Sequence, residues 1–213
     1  MKKQCLTLTL LGLAACGPLN EGNIGKGVVQ QIGTLTGLGP DPAPPALPPN
    51  VADAAPGDVL LVTILNRNVV APLVKVQTNG DTITWTSPGQ VTMTFTDGIL
   101  IGTRGLAEDL MGADVTGVRT AIRAGGGEAT RRHSFLNSLD QIRTRDMTCT
   151  ITKGESETLA LIGGSKTAVK YEESCTGNMV FTNTYWVDPT TGDFLRTQQV
   201  VSAGVGYIRA DQL

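Results

Sequence analysis

Side chains that could carry out catalysis are few among the 213 residues of this chain. Its one histidine, His133, follows two arginines, and a histidine in that setting is more typical of the surface than of a general base. A single histidine also excludes most metal sites built on imidazole. The patterns Gly-x-Ser-x-Gly and Ser-x-x-Lys do not occur, and residues 163–167 lack the glycine that a phosphate-binding loop has before its lysine. We therefore expect no catalytic residue, metal or cofactor, although two carboxylates that meet in space could still form a glycosidase pair.

A cysteine near the N-terminus is a candidate for covalent lipid attachment. Lys2 and Lys3 precede a short apolar stretch that ends in the tetrad Leu-Ala-Ala-Cys at Cys16. This order is typical of a signal peptide, the stretch is too short to span a bilayer, and the tetrad resembles the bacterial lipobox. We predict a lipoprotein signal peptide over residues 1–15 and lipidation of Cys16. The alternative is an ordinary signal peptide whose small residues happen to precede a cysteine. The residue after Cys16 is Gly17 and not Asp, which by resemblance to the sorting rule of enteric bacteria favours the outer membrane.

The chain after the signal peptide divides into a linker and one domain. Residues 16–57 are rich in Gly and Pro, and the prolines hold such a segment extended. The spacing of apolar residues between Ile24 and Leu35 fits a short amphipathic helix, but three glycines argue against it. Residues 58–213 are predicted to form a single β domain. The lipid on the mature N-terminus would anchor this domain to the membrane on its periplasmic side.

Two further cysteines could form a disulfide. Cleavage would remove Cys5 and acylation would occupy Cys16, which leaves Cys149 and Cys175. An isolated pair in an exported protein is usually oxidised. Closing a loop of roughly 25 residues would stabilise the fold by about 3.5 kcal/mol. The spacing is not Cys-x-x-Cys, so a redox-active pair is the weaker interpretation.

The remaining pattern is that of β structure. Asn79-Gly80 and Asp97-Gly98 separate alternating apolar runs, which is a strong hairpin signal, and a Pro and a Gly within residues 188–192 predict a third tight turn. Residues 106–111 are predicted to form a short helical turn, and three glycines at 125–127 a loop. We expect an all-β fold, an antiparallel barrel-like sheet or a two-sheet sandwich of about ten strands with one or two short helices. The predicted strands are 59–65, 73–78, 82–86, 91–95, 99–103, 129–137, 141–152, 157–162, 166–174, 178–188, 194–202 and 205–209.

Aromatic residues on these strands could bind sugar rings. The candidates are Trp85, Tyr185, Trp186 and Tyr207. Tyr185 and Trp186 are adjacent, so they point to opposite faces of a strand and one of them is expected to face outward. An exposed aromatic of this kind can stack on a glycan, whereas the alternative for both residues is packing in the core.

Three stretches resemble the YjbF/GfcB family of bacterial lipoproteins. They are Asn183–Gln199, with its Tyr-Trp-Val-Asp-Pro sequence, Thr82–Trp85, and Thr96–Leu110. The resemblance covers roughly residues 58–213 and rests on strand and turn patterns. It implies a role in exopolysaccharide or group 4 capsule production beside an outer-membrane β-barrel protein, and it implies no catalytic residue.

The function predicted from these features is non-catalytic. The formal net charge of −2 excludes a nucleic-acid binder that works by general phosphate attraction. We expect a lipoprotein anchored in the outer membrane that assists exopolysaccharide or capsule secretion or assembly. A carbohydrate-binding module with exposed aromatics is the alternative, and a polysaccharide-modifying enzyme is a third hypothesis.

Overall fold

The structure, a computed structural model, describes residues 57–212. The predicted signal peptide, Cys16, the predicted linker up to residue 56 and the segment between Ile24 and Leu35 lie outside these residues. Among the residues described, no helix is long and apolar enough to cross a membrane.

Within residues 57–212, twelve antiparallel strands form one sheet. The strands are β1 (Val59–Ile64), β2 (Val69–Asn79), β3 (Thr82–Thr86), β4 (Thr92–Thr96), β5 (Ile99–Arg104), β6 (Gly112–Asp114), β7 (Gly127–Leu136), β8 (Ile142–Leu161), β9 (Gly164–Gly177), β10 (Phe181–Val187), β11 (Phe194–Ser202) and β12 (Gly206–Gln212). A 3₁₀ turn (Leu65–Arg67) follows β1, and an α-helix, α1 (Thr116–Arg123), lies between β6 and β7.

The sheet curls into a nearly closed barrel. Its strand order is β5-β4-β3-β2-β1-β12-β11-β10-β9-β8-β7-β6. Every strand pairs with its neighbours in sequence except β5 with β6, and β1 pairs with β12. Across the remaining gap between β5 and β6, the Thr103 N–H donates to the Leu110 carbonyl at 2.9 Å. The Arg104 guanidinium donates to the carbonyls of Leu110 and Met111, each at 3.2 Å. The predicted all-β, barrel-like fold is therefore confirmed, and the alternative of two packed sheets is not adopted.

The predicted hairpin turns connect the strands as expected. Asn79 pairs with Thr82 across the first turn, and Thr96 pairs with Ile99 across the second. Glycines stand where the backbone has positive φ, +57° at Gly80 and +71° at Gly98, a region that other residues enter at a cost.

Two local predictions are wrong. Residues 106–111 do not form a helical turn, because the Asp109 carboxylate accepts hydrogen bonds from the backbone N–H of Gly105 and Leu106 and from the Thr103 hydroxyl, which stabilises a loop. The strands predicted at 141–152 and 157–162 are one strand, β8, since a bulge between Lys153 and Ser156 lets it keep pairing with β9.

The barrel interior holds most of the core. Alternate residues of each strand point inward, as on β7, where residues 129, 131, 133 and 135 are buried and those between them are more exposed. Helix α1, which the sequence analysis did not anticipate, contributes Val118, Ala121 and Ile122 to the same apolar cluster as Ile99 and Ile151.

Candidate functional site

A cluster of polar side chains lies inside the barrel, and we call Arg131, His133, Glu173, Asn183 and Tyr185 the interior polar cluster. All five are at most 1% exposed. Strand alternation places them together: Arg131 and His133 are two residues apart on β7, and Asn183 and Tyr185 two apart on β10. Glu173 joins them from β9, because it pairs with Asn183 across the sheet.

Glu173 is the centre of this cluster. Arg131 Nη1 donates to both of its carboxylate oxygens, at 2.9 and 3.2 Å. Asn183 Nδ2 donates to Oε2 at 2.8 Å, and the Tyr185 hydroxyl donates to the same oxygen. A buried carboxylate with this many donors is well compensated for the loss of water.

The histidine is neutral and sealed. Burial, and after it the charge of Arg131, lower the pKa of His133 from 6.5 to about 3. Arg131 Nε donates to its Nε2 at 2.7 Å, so the ring proton is on Nδ1, which has no partner among the described residues. The surface position expected for His133 is therefore wrong, because the period of two on β7 turns its side chain into the barrel. Without access to solvent, it has no route to act as a general base for an external substrate.

The tyrosine of the cluster stays protonated. Burial is the main cause that raises the pKa of Tyr185 well above 10.0, and the charge of Glu173 raises it further. At neutral pH His133 is therefore neutral and Tyr185 is protonated, which fits a structural role better than acid–base chemistry.

A disulfide lies next to this cluster. Cys149 on β8 and Cys175 on β9 are directly paired in the sheet, their Sγ atoms are bonded, and their Cα atoms are 4.0 Å apart. Both residues are 0% exposed. The two sulfurs and a Glu173 oxygen lie within 4.8 Å of one another, but oxidised cysteines are not thiolate ligands, so this group does not offer a metal site while the bond is intact.

The aromatic pair proposed for glycan stacking is buried. Tyr185 is 0% exposed inside the barrel and Trp186 is 7% exposed on the outer face. Trp186 packs with Leu159, Ala168 and Leu195, and its indole N–H donates to Glu157. The two side chains do point to opposite faces of β10. The expectation that one of them is exposed is wrong, because Leu159 of β8 and Ala168 of β9 pack on Trp186, the side chain on the outer face.

A cavity of about 470 Å³ opens at one end of the barrel, and we call it the mouth cavity. Its rim is formed by the β2–β3, β4–β5 and β10–β11 turns, and its wall by inward side chains of β1, β3, β4, β11 and β12. The apolar side chains that line it are Leu60, Ile83, Trp85, Phe95, Phe194 and Ala210.

Charged side chains surround the mouth. Asp81, Asp97 and Asp193 line it from the three turns, and Arg123 from the end of α1. Asp97 accepts hydrogen bonds from Arg119 and Arg123, and Arg119 also donates to Asp81 at 2.7 Å. The hydrogen bond to Asp97 is the chief cause that raises the pKa of Arg119. These ion pairs connect α1 to two of the turns and so help to position the rim.

Sequence reasoning did not find the mouth cavity as a site. Trp85 was one of the candidate aromatics, and Asp81 and Asp97 lie in the two turns that the Gly-containing signals predicted. A signal was therefore present, namely acidic residues in consecutive hairpin turns of a meander. Bringing these turns beside Asp193 requires the closure of β1 on β12, which no local pattern reveals.

The comparisons with known proteins agree with the fold. Residues 41–213 match the family described as "Group 4 capsule polysaccharide lipoprotein gfcB, YjbF". The chain belongs to this family. A crystal structure of the hypothetical lipoprotein YmcC from Escherichia coli (K12) is similar, with a TM-score of 0.66 and 20% identity over 76% of this chain and 86% of that one. No curated protein matches the chain.

Proposed function

We propose that this protein is a non-catalytic lipoprotein, anchored in the outer membrane through Cys16 and facing the periplasm, that assists the secretion or assembly of an exopolysaccharide or capsule. The observation that carries the proposal is the family match over residues 41–213. An outer-membrane β-barrel protein of the same secretion system is the expected partner.

The geometry of the described domain supports the non-catalytic part of the proposal. Its histidine, His133, is fully buried inside the barrel. Two of the carboxylates at the mouth cavity, Asp81 and Asp97, accept hydrogen bonds from the same arginine, Arg119. A glycosidase instead needs one carboxyl group that is protonated and one that faces it across the scissile bond.

Deletion of the gene tests the role in polysaccharide secretion. The expected result is less polysaccharide at the cell surface, with material retained in the envelope, and recovery when the wild-type gene is supplied in trans. Surface polysaccharide that stays at the parental level under conditions that induce its production would contradict the proposal.

Substitution of the predicted lipidated cysteine tests the anchor. Cys16→Ser should abolish incorporation of labelled palmitate and leave the protein either uncleaved or free in the periplasm. Cys5→Ser is the matched control, because this cysteine lies within the predicted signal peptide and its loss should leave labelling unchanged. Equal labelling of Cys16→Ser and wild type would show that the lipid is elsewhere or absent.

A further inference from the structure

The mouth cavity combines apolar walls with polar atoms that have no partner in the described part of the chain. The first such atom belongs to Trp85, which is 4% exposed and lines the cavity. Its indole Nε1 makes no hydrogen bond to residues 57–212, and it is not among their fully enclosed unpaired atoms, so it remains accessible. A tryptophan N–H at a buried position usually finds an acceptor, so this donor is available to an acceptor on a molecule that enters the cavity.

Two hydrogen-bond acceptors at the rim complement this donor. The hydrogen bonds from Arg119 and Arg123 all reach Oδ2 of Asp97, which leaves Oδ1 open. The Asp193 carboxylate, on the β10–β11 turn, forms no ion pair within residues 57–212. Both acceptors line the same cavity as Trp85, so a ligand there meets acceptors at the rim and a donor lower in the wall.

We propose that the mouth cavity binds a saccharide unit of an uncharged glycan. A sugar ring has apolar C–H faces that pack on side chains such as Phe95 and Leu60, and hydroxyl groups that donate to carboxylates and accept from an indole N–H. A purely apolar ligand would offer no hydrogen-bond donor to Asp97 Oδ1 or to the Asp193 carboxylate.

The charge of the rim selects against acidic sugars. Three aspartates, Asp81, Asp97 and Asp193, lie there against two arginines, Arg119 and Arg123, and both arginines are already paired with carboxylates. A uronate or sialate would bring a further negative charge to a site with a surplus of carboxylates, which is repulsive at this range. The inference deepens the proposed function and rests on it for the identity of the glycan in the cell.

The two tryptophans of the chain make the site observable. The ¹H–¹⁵N spectrum of the full mature chain should contain two indole signals, which Trp186→Phe assigns. Neutral gluco-, galacto- and manno-oligosaccharides are the probes, and uronate-containing oligosaccharides of equal length are the comparison. The expected result is a shift of the Trp85 signal on addition of a neutral probe and no shift of the Trp186 signal. Trp186 should not respond because it lies on the outer face of the barrel, where its indole N–H donates a hydrogen bond to Glu157.

Variants test the contribution of each group. Asp193→Asn should weaken binding of the neutral probe by about tenfold, since it removes a charged acceptor, and it lies on an exposed turn where folding is not at risk. Trp85→Phe should weaken it by about fivefold through loss of one neutral hydrogen bond. Trp186→Phe should leave the affinity unchanged. Binding that is the same in Asp193→Asn and wild type, a stronger response to uronates, or no response to any probe would overturn the proposal.

The two proposals can fail separately. If the gene deletion lowers surface polysaccharide but the double variant Trp85→Phe, Asp193→Asn restores it fully, the secretion role stands and the saccharide site is wrong. If neutral probes bind as expected but the deletion has no effect on surface polysaccharide, the saccharide site stands and the secretion role is wrong.

Discussion

Arg131 and Glu173 form an ion pair inside the barrel, with both side chains 0% exposed and Arg131 Nη1 2.9 Å from Glu173 Oε2. The pair links β7 to β9, although β8 lies between them in the sheet. Arg131 Nη2 also donates to the carbonyl of Leu100 on β5 at 3.4 Å. The Arg131 guanidinium therefore contacts β9 and β5, which lie on opposite sides of the gap in the barrel. The ion pair thus helps to stabilise the nearly closed barrel.

Removing one member of the pair should be costly. Arg131→Met leaves the Glu173 carboxylate buried without its counterion, and we expect a loss of about 3–5 kcal/mol in the free energy of unfolding. The double variant Arg131→Met, Glu173→Gln should recover at least half of that loss, because no charge then remains uncompensated. Urea denaturation followed by tryptophan fluorescence measures both.

The adjacent arginine is the matched control. Arg132 pairs with Asp146 at the surface, and each side chain of that pair is 60% exposed. Arg132→Met should therefore change the free energy of unfolding by at most about 1 kcal/mol. Equal losses for Arg131→Met and Arg132→Met would contradict the buried-pair argument.

His133 should make the protein sensitive to mild acid. Its pKa is about 3 in the folded protein and about 6.5 in the unfolded chain, so between these values only the unfolded chain binds the proton. The free energy of unfolding is therefore not reduced by His133 well above pH 6.5, and it falls as the pH is lowered below that value. The loss from this residue alone is about 2 kcal/mol between pH 7 and pH 5. Chemical denaturation at both pH values measures the loss.

A glutamine at position 133 separates this effect from carboxylate titration. His133→Gln can still accept the hydrogen bond from Arg131 Nε but does not titrate. Its stability relative to wild type should improve by about 2 kcal/mol on going from pH 7 to pH 5. Stability curves that stay parallel over this range would show that His133 does not cause the acid sensitivity.

The Cys149–Cys175 bond should contribute stability without being needed for the fold. The sheet already pairs the two residues directly, so a Cys149→Ala, Cys175→Ala double variant should fold. Closing a loop of 26 residues is worth about 3.5 kcal/mol at most, which for a domain of this size corresponds to a melting temperature lower by about 10 °C. Calorimetry measures the shift, and mass spectrometry of the non-reduced protein should find no free thiol at either position. Two free thiols in protein from the envelope would refute the bond.

Two turn glycines with similar backbones should respond differently to alanine. Gly80 and Gly98 have φ of +57° and +71°, but a Cβ at Gly80 meets nothing within 4 Å, whereas one at Gly98 would lie 2.4 Å from Phe194 Cβ. We expect Gly80→Ala to cost about 1 kcal/mol for the positive φ, and Gly98→Ala about 3 kcal/mol, because the steric overlap adds to it. Thermal unfolding compares them, and equal costs would show that the β4–β5 turn does not pack on Phe194 as described.

Much of the strand pattern could be predicted because it depends on neighbours in sequence. The turns at Gly80 and Gly98 need positive φ, a property of the residue itself. The division of β8 into two strands failed for the converse reason: residues 153–156 carry a weak strand pattern of their own, and they stay in the sheet because β9 pairs with them across the bulge. Helix α1 was missed because it contains Thr and Gly, which favour helix poorly, and its stability comes from burial of Val118 and Ile122.

The sequence by itself determined the all-β class, the main hairpins, the likeness to a lipoprotein family and the pairing of Cys149 with Cys175, since each depends on local backbone preference or on a short motif. Only the tertiary structure decided that the strands form one curled sheet, that His133 and Tyr185 are sealed within it, and that Trp85 lines a cavity beside Asp97 and Asp193. The physical reason is closure of the barrel, because the pairing of β1 with β12 brings turns that are more than 90 residues apart in sequence to one rim. The alternation of residues within a strand shows which side chains face inward. It does not show whether they will meet apolar side chains, a buried charge or an open cavity.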